Sequence, residues 1–310
     1  MSCDLSVFLI GQGVKSPWYV GNTTKGLLEK FGPERVIDTP VSENAITGAA
    51  VGAAIAGMRP IVVHPRMDFM LYAFDPIVNE AANWHYMCGG KSHAPVVIWG
   101  IINRGGEQAA QHSQALQALF AHIPGLKVVM PSTPYDAKGL MIAAIKDNSP
   151  VVYIDDRWLY KIEGGIPEEI YEVPIGKGKI MKEGEDVTVV ATSYMVIEAM
   201  KAAKKLSKEA IEIEVIDVRS LKPLDKDLIF ESIKKTGRLV IADGAWKTCG
   251  VAAEIATLVI ENVFEHLKAP IRRVTLPDTP APASRALEKI YYPRAKEIIS
   301  AIKELLEGKQ

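Results

Sequence analysis

The sequence is poor in cysteine: Cys3, Cys88 and Cys249 are its only three, far apart and without a CxxC pair. An odd, scattered set argues against a disulfide framework and fits a reducing cytosol, where small buried thiols are the ordinary expectation. Long hydrophobic runs are missing as well. The longest, 46–57, is mostly Ala and Gly and is too short to span a bilayer. The opening residues carry no basic stretch followed by an apolar core, so no secretory signal is expected and the expected location is cytoplasmic. Neither sign of charge dominates: 36 Lys+Arg stand against 37 Asp+Glu, a formal net charge of −1. Without a basic excess there is no stripe for a phosphate backbone, so neither nucleic acid nor a membrane surface is an expected partner. The six histidines form no cluster with metal-ligand spacing, and no transition-metal site is expected. The glycine fingerprint of nucleotide binding is incomplete. Gly11-Gln12-Gly13 follows an apolar run, but Ser16 stands at the third glycine position, and a turn is the better reading. No Walker motif, HExxH or GxSxG occurs.

What is present is a globular composition, 48% hydrophobic and 24% charged, over 310 residues. That length suits two domains, each able to bury its own core. Short Val- and Ile-rich runs at 7–10, 36–38, 60–63, 96–99, 127–130 and 151–154 are apolar on both faces, as buried parallel strands are. Helical patterns separate them at 24–31, 43–56, 73–87, 113–122 and 134–146, with Gly32-Pro33 and Gly57 as stops. From 161 to 185 Lys, Glu, Gly and Pro dominate, which marks a domain boundary. A second series follows: strands 187–191, 211–218, 239–242 and 271–276, and helices 195–206, 225–235, 250–266 and 293–306. The expected fold is therefore α/β in two domains, 1–175 and 176–310, each a mostly parallel sheet covered by helices.

Three places carry candidate chemistry. Glu43 opens a helix crowded with Gly48, Ala49, Ala50, Gly52, Ala53, Ala54 and Ala56, whose small side chains allow close approach of a backbone or a flat ligand. Glu43 reads either as a first-turn carboxylate serving the helix dipole or as a carboxylate aimed at a basic ligand nitrogen. His112 precedes the expected helix 113–122, after the polar loop 103–110. It reads either as a cap or as a loop histidine at the strand carboxyl edge, where open α/β sheets bind ligands. His64 and Arg66 flank Pro65 at the end of the strand 60–63 and share that edge; Arg66 suits an anionic group or a surface ion pair. His85, His93, His122 and His266 read as structural or exposed.

Taken together these runs resemble the β subunit of thiamine diphosphate-dependent 2-oxoacid dehydrogenases, within the superfamily that includes transketolase. The likeness is carried by Arg35 to Glu43, Gly48 to Ile61, Asp68-Phe69, Asn79 to Ala82, Tyr86 to Gly90 and Ala110 to Gln114. It continues through Pro124 to Val129, Asp136 to Leu140, Asn148 to Val152, Val215 to Arg219 and Gly250 to Glu254, in order over nearly the whole chain. The resemblance implies a thiamine diphosphate-binding pyrimidine domain followed by a transketolase C-terminal-like domain, with a β–β dimer inside an α2β2 assembly. It implies that Glu43 hydrogen-bonds the cofactor's aminopyrimidine, favouring the imino tautomer that creates the carbanion nucleophile. Phe69 matches the aromatic that stacks on that ring, and His112 the histidine that assists substrate or acyl-acceptor handling.

The family's Gly-Asp-Gly run with a later Asn, which holds magnesium and diphosphate, has no counterpart; Asp243-Gly244 lacks the preceding Gly. The resemblance therefore implies half an active site, completed by an α-type subunit carrying that motif. Some positions depart from the family. The loop with Lys15 to Gly21 is not acidic, the loop 100–106 loses the usual Gly-Pro, and His64-Pro65-Arg66 replaces acidic and aromatic residues. The expected activity is decarboxylation of a 2-oxoacid with acyl transfer to a lipoyl partner, a lipoyl acyltransferase. The alternatives are one half of a split transketolase, whose sugar phosphates would suit His64 and Arg66, and a non-catalytic scaffold paralogue.

Overall fold

Strands that are apolar on both faces cannot lie at a solvated surface, and here they form the inner strands of two sheets. The computed structural model describes residues 1–16 and 20–308, so part of the loop from Lys15 to Gly21 lies outside the described residues. The chain divides into two units: residues 1–104, 111–129 and 133–175, and residues 105–110, 130–132 and 176–310.

In the first unit the strands are β1 (Val7–Gln12), β2 (Val36–Thr39), β3 (Arg59–His64), β4 (Val97–Ile102), β5 (Lys127–Val129) and β6 (Val151–Asp156). They lie in the order β5-β6-β4-β3-β1-β2, and every pairing among them is parallel. The helices are α1 (Leu27–Phe31), α2 (Glu43–Ile55), α3 (Ala82–Met87), α4 (Gln117–His122) and α5 (Pro134–Lys146). One face of the sheet is packed by Val7, Leu9, Val63, Trp99, Ile101, Leu140 and Tyr153. Arg104, two residues past β4, and Asp156, the last residue of β6, form a buried ion pair at 2.7 Å. Breaking such a pair from one side leaves an uncompensated charge, so it fixes the two strand ends together.

The second unit contains β7 (Lys179–Lys182), β8 (Val187–Ala191), β9 (Ile213–Asp217), the short β10 (Ser220–Lys222), β11 (Leu239–Trp246) and β12 (Arg272–Leu276). Its sheet runs β12-β11-β8-β9-β7, parallel except for β7, which pairs antiparallel with β9. The helices are α6 (Tyr194–Leu206), α7 (Lys226–Thr236), α8 (Val251–Val263), α9 (Arg285–Tyr291) and α10 (Ala295–Leu306). The carboxyl ends of its strands are rich in hydrogen bonds. Thr192 Oγ1 donates to Asp243 Oδ1 at 2.8 Å, while Asp217 accepts from the Ser132 hydroxyl and, at 3.0 Å, from the Arg219 amide. Deeper in, the Thr188 hydroxyl bonds those of Ser232 and Thr236 at 2.6 and 2.7 Å.

Several expectations need correction. The helix expected over 24–31 begins only at Leu27, because Gly26 sits at φ 82°, outside helical space. The stretch 73–87 is not one α-helix: a tight 3-10 segment ends at Ala73, a π segment spans Pro76–Ala81, and α3 follows. Pro76 has no N–H to continue an α ladder, which favours the wider register. The helix expected from Ser113 starts at Gln117; Ala115 and Leu116 are buried in irregular backbone before it. The thiols are not buried: Cys3 and Cys249 are exposed and Cys88 is half-buried. Cys249 sits in a turn at φ 53° just before α8, a place that faces solvent.

Candidate active site

The carboxyl ends of parallel strands are where an α/β sheet opens to ligands, and β1 and β3 end there side by side. Their approach is close: a Cβ built on Gly11 would lie 2.6 Å from the Val63 carbonyl oxygen, so only glycine fits in β1 at this level. Gln12, at the end of β1, and Val63 and His64, at the end of β3, then line one cavity of about 290 Å³. The rest of its wall is Glu43 and Ile46 from α2, Pro65, Arg66 and Phe69 from the segment after β3, and His112. Glu43, His64, Arg66, Phe69 and His112, which the sequence suggested from separate segments, are thus brought together in one place.

Each is held for a local reason. Glu43 is the first residue of α2, where a carboxylate is favoured by the helix dipole. Among the described residues its carboxylate is engaged by no side chain or backbone amide, and it is half-exposed at the cavity. Phe69 belongs to the 3-10 segment Met67–Ala73, and its ring meets that of His112 edge-on, with centroids 5.3 Å apart and planes at 87°. The two segments that carry these rings are laced together. The Gln114 amide donates to Asp68 Oδ1 at 3.1 Å, the Leu116 amide to Met67 Sδ at 3.4 Å, and Asn103 Nδ2 to the Pro65 carbonyl at 3.2 Å. Burial pushes the Asp68 carboxyl above its ordinary range, and the Gln114 bond works against that rise. Arg66 Nη1 donates to the Pro65 carbonyl at 2.9 Å, which steadies the guanidinium on the wall.

His64 is the least expected member. It is 1% exposed, and burial drives its pKa down from 6.5 to about 4, so the ring is neutral at physiological pH. Its Nε2 lies 3.1 Å from Thr47 Oγ1, one turn beyond Glu43 on the buried face of α2. Among the described residues its Nδ1 has no hydrogen-bond partner.

Gln12, Thr47 and Asp68 were not singled out as site residues. The incomplete glycine pattern around Gln12 was the usable signal, since a Gly-flanked turn after a strand places its middle residue at the ligand edge. The opposite side of α2 is bare: Gly48, Ala49, Gly52 and Ala56 are exposed, and nothing lies within 4 Å of a Cβ added at Gly48 or Gly52.

The arrangement offers a carboxylate at a helix start, an aromatic face beside it, and imidazole and guanidinium groups across a small cavity. That set can share a proton with a flat, basic heterocycle stacked on Phe69 and leave polar groups over for a second molecule.

Comparison with known proteins bears on the same residues. Residues 1–162 match the family described as transketolase, pyrimidine binding domain, and residues 176–298 match that described as transketolase, C-terminal domain. The chain is 47% identical to the β subunit of acetoin:2,6-dichlorophenolindophenol oxidoreductase of Cupriavidus necator, covering 99% of this chain and 94% of the relative. It is 46% identical to the β subunit of the pyruvate dehydrogenase E1 component of Rickettsia felis, covering 97% and 93%. Among solved structures, a split gene transketolase described as an inactive β4 tetramer superposes with a TM-score of 0.78 at 25% identity. The match covers 100% of this chain and 94% of that one.

Proposed function

The chain belongs to the transketolase family, of which it carries the pyrimidine-binding and C-terminal domains, and from that footing we propose that it is the β half of a thiamine diphosphate-dependent 2-oxoacid dehydrogenase, working with an α-type partner. The observation that carries this reading is the cavity itself: a partnerless carboxylate and an aromatic face, the two groups an aminopyrimidine needs, on one wall. When bound, thiamine diphosphate supplies the carbon nucleophile for chemistry next to a carbonyl. The work of this chain is to orient the aminopyrimidine against Phe69 and to hold a proton between its ring nitrogen and the Glu43 carboxylate. His112, edge-on to Phe69, then faces the side on which a substrate arrives and is suited to hydrogen-bond its oxygen atoms. His64 and Arg66 take the substrate-contact role on the remaining wall.

The chain has no Gly-Asp-Gly run. Its Asp243 is buried in the second unit and accepts from Thr192, so it is no substitute. Magnesium and diphosphate therefore fall to the α-type subunit carrying that motif and a later Asn, in an α2β2 assembly with a β–β dimer. The acyl unit would pass to a lipoyl acyltransferase. We also take 1–175 and 176–310 as the two domains. No helix among the described residues is long and apolar enough to cross a membrane. A second reading, two-carbon transfer between sugar phosphates by a split transketolase, is favoured by the structural likeness to a split gene transketolase and by the cationic Arg66 on the cavity wall.

Calorimetric titration of thiamine diphosphate with magnesium tests the shared site. Tight binding is expected only after co-purification with a chain carrying Gly-Asp-Gly…Asn. Tight binding to this chain alone, or none in either case, refutes a site completed by the partner. Turnover of 2-oxoacids with an artificial electron acceptor separates the first reading from the second, which predicts activity on ketose phosphates alone.

A further inference from the structure

An alkyl 2-oxoacid such as pyruvate ends in an apolar group and asks for an apolar wall there. This cavity offers one only in part. Once Glu43 and Phe69 are committed to the aminopyrimidine, its remaining side chains include Gln12, His64, Arg66 and His112, with Ile46, Val63 and Pro65 as the apolar balance. His112 accounts for the reacting end of a substrate. Gln12, His64 and Arg66 are polar groups in excess of what a hydrocarbon chain can use.

The chemistry of His64 can be resolved further. Thr47 is fully buried, and among the described residues its hydroxyl has a single partner, His64 Nε2. A buried hydroxyl has one hydrogen to give, and leaving it ungiven costs the desolvation of the group. The reverse assignment would leave both the Thr47 hydrogen and the Nδ1 lone pair unused. The assignment with fewest groups left over puts the hydrogen on Thr47, makes Nε2 the acceptor and places the neutral ring's own proton on Nδ1. That N–H is buried and unpaired in a residue that borders the cavity. An orphaned buried donor calls for a partner, and His64 is one of the residues that line the cavity. Arg66, steadied by the Pro65 carbonyl, adds positive charge on the same wall.

Building on the reading above, we propose that His64 and Arg66 form a subsite for an oxygen on the substrate's chain, with Thr47 as the positioning residue that fixes the His64 tautomer. The substrate class is a 2-oxoacid bearing a hydroxyl or a second carboxylate beyond the reacting carbonyl. His64 donates through Nδ1 to that oxygen, and Arg66 favours it when it is anionic. Specificity of this kind is strong because the oxygen-free analogue leaves the buried donor unpaired.

The test uses the complex reconstituted with its α-type partner, a panel of 2-oxoacids, and four forms of this chain. Hydroxypyruvate, oxaloacetate and 2-oxoglutarate are compared with pyruvate and 2-oxobutyrate. In the unaltered complex kcat/KM should favour at least one oxygenated substrate by roughly tenfold or more. His64→Leu should erase that preference by roughly 10- to 100-fold, the span of one buried hydrogen bond to a charged group, mainly through KM. His64→Asn, whose amide nitrogen falls near the Nδ1 position, should retain most of it, whereas His64→Gln, which places its nitrogen near Nε2, should not. Histidine ¹⁵N spectra of the full chain alone give a readout independent of turnover: His64 should appear as the neutral Nδ1–H tautomer at pH 7, and Thr47→Val should disturb it. Thiamine diphosphate binding by the complex is measured alongside and should be the same in all four forms. If the cofactor binds but plain 2-oxoacids are preferred, or the His64→Leu ratio is unchanged, the subsite is refuted and the cofactor reading stands. An Nε2–H tautomer refutes it directly. If no cofactor binds, or only ketose phosphates turn over, both fall together.

Discussion

The two units build parallel sheets from similar strands, yet they finish the carboxyl ends of those strands in opposite ways. In the second unit the polar groups there answer one another: Asp243 takes the Thr192 hydroxyl, and Asp217 takes the Ser132 hydroxyl and the Arg219 amide. In the first unit the corresponding edge holds a carboxylate with nothing on it, Glu43, and a buried imidazole nitrogen with nothing on it, His64 Nδ1. A buried polar group without a partner costs about 1–3 kcal/mol. At the first edge that cost falls on the His64 nitrogen, and such uncompensated costs mark places kept for a ligand.

That contrast can be broken from either side. The largest effect is expected at Glu43. Glu43→Gln keeps size and helix position but cannot hold a proton, so the complex's activity should fall roughly 10²–10⁴-fold; the melting temperature of this chain should be nearly unchanged. Intact activity would support a scaffold role instead. Next comes the pH dependence of stability. The unfolded His64 imidazole binds a proton near pH 6.5, whereas the folded ring refuses one until about pH 4. The folded state therefore loses stability as pH falls from 6.5 through 4, by roughly 3 kcal/mol at most. Denaturant unfolding across that range should show this slope, and His64→Leu should flatten it. Asp155 acts in the opposite sense. Burial pushes it from 3.8 up to about 6, so its stabilising share is lost as pH rises through 6, and the His64→Leu difference isolates one slope from the other. The smallest effect should come from the sealed edge. Thr192→Val leaves Asp243 short of a donor and should cost roughly 1–3 kcal/mol in chemical denaturation, with kcat of the complex unaltered.

Much of this was legible in residues before any coordinates. Strands apolar on both faces, such as Val97–Ile102, can only be inner parallel strands, and the Gly- and Lys-rich stretch after 161 has no pattern to continue a core. β7 was missed because Lys179–Lys182 is only four residues, two apolar ones between lysines, at an antiparallel edge where no continuous hydrophobic run is needed. α9 was missed because its seven residues follow a proline-rich stretch and bury only Glu288 and Tyr291. The proximity of Glu43, Phe69 and His112 came from motif order, since helix start, 3-10 segment and loop share no local signal. Thr47 was invisible for a different reason. A threonine in an Ala/Gly helix reads as filler until β3 brings a histidine against it, and that contact depends on parallel pairing between distant segments.

The strand order of the first unit also sets a schedule for synthesis. β4 lies between β3 and β6, and β6 also takes β5, so one side of β4 stays unpaired until residues 151–156 exist. All six residues of β4 are buried in the finished sheet. A nascent chain that already contains Glu43, His64 and His112 therefore still presents a bare apolar strand edge, the kind of surface that recruits chaperones or misassembles. A ribosome pausing between residues 112 and 151 would hold the polypeptide at its most adhesive stage, with every wall of the cavity already translated and the sheet beneath it not yet closed.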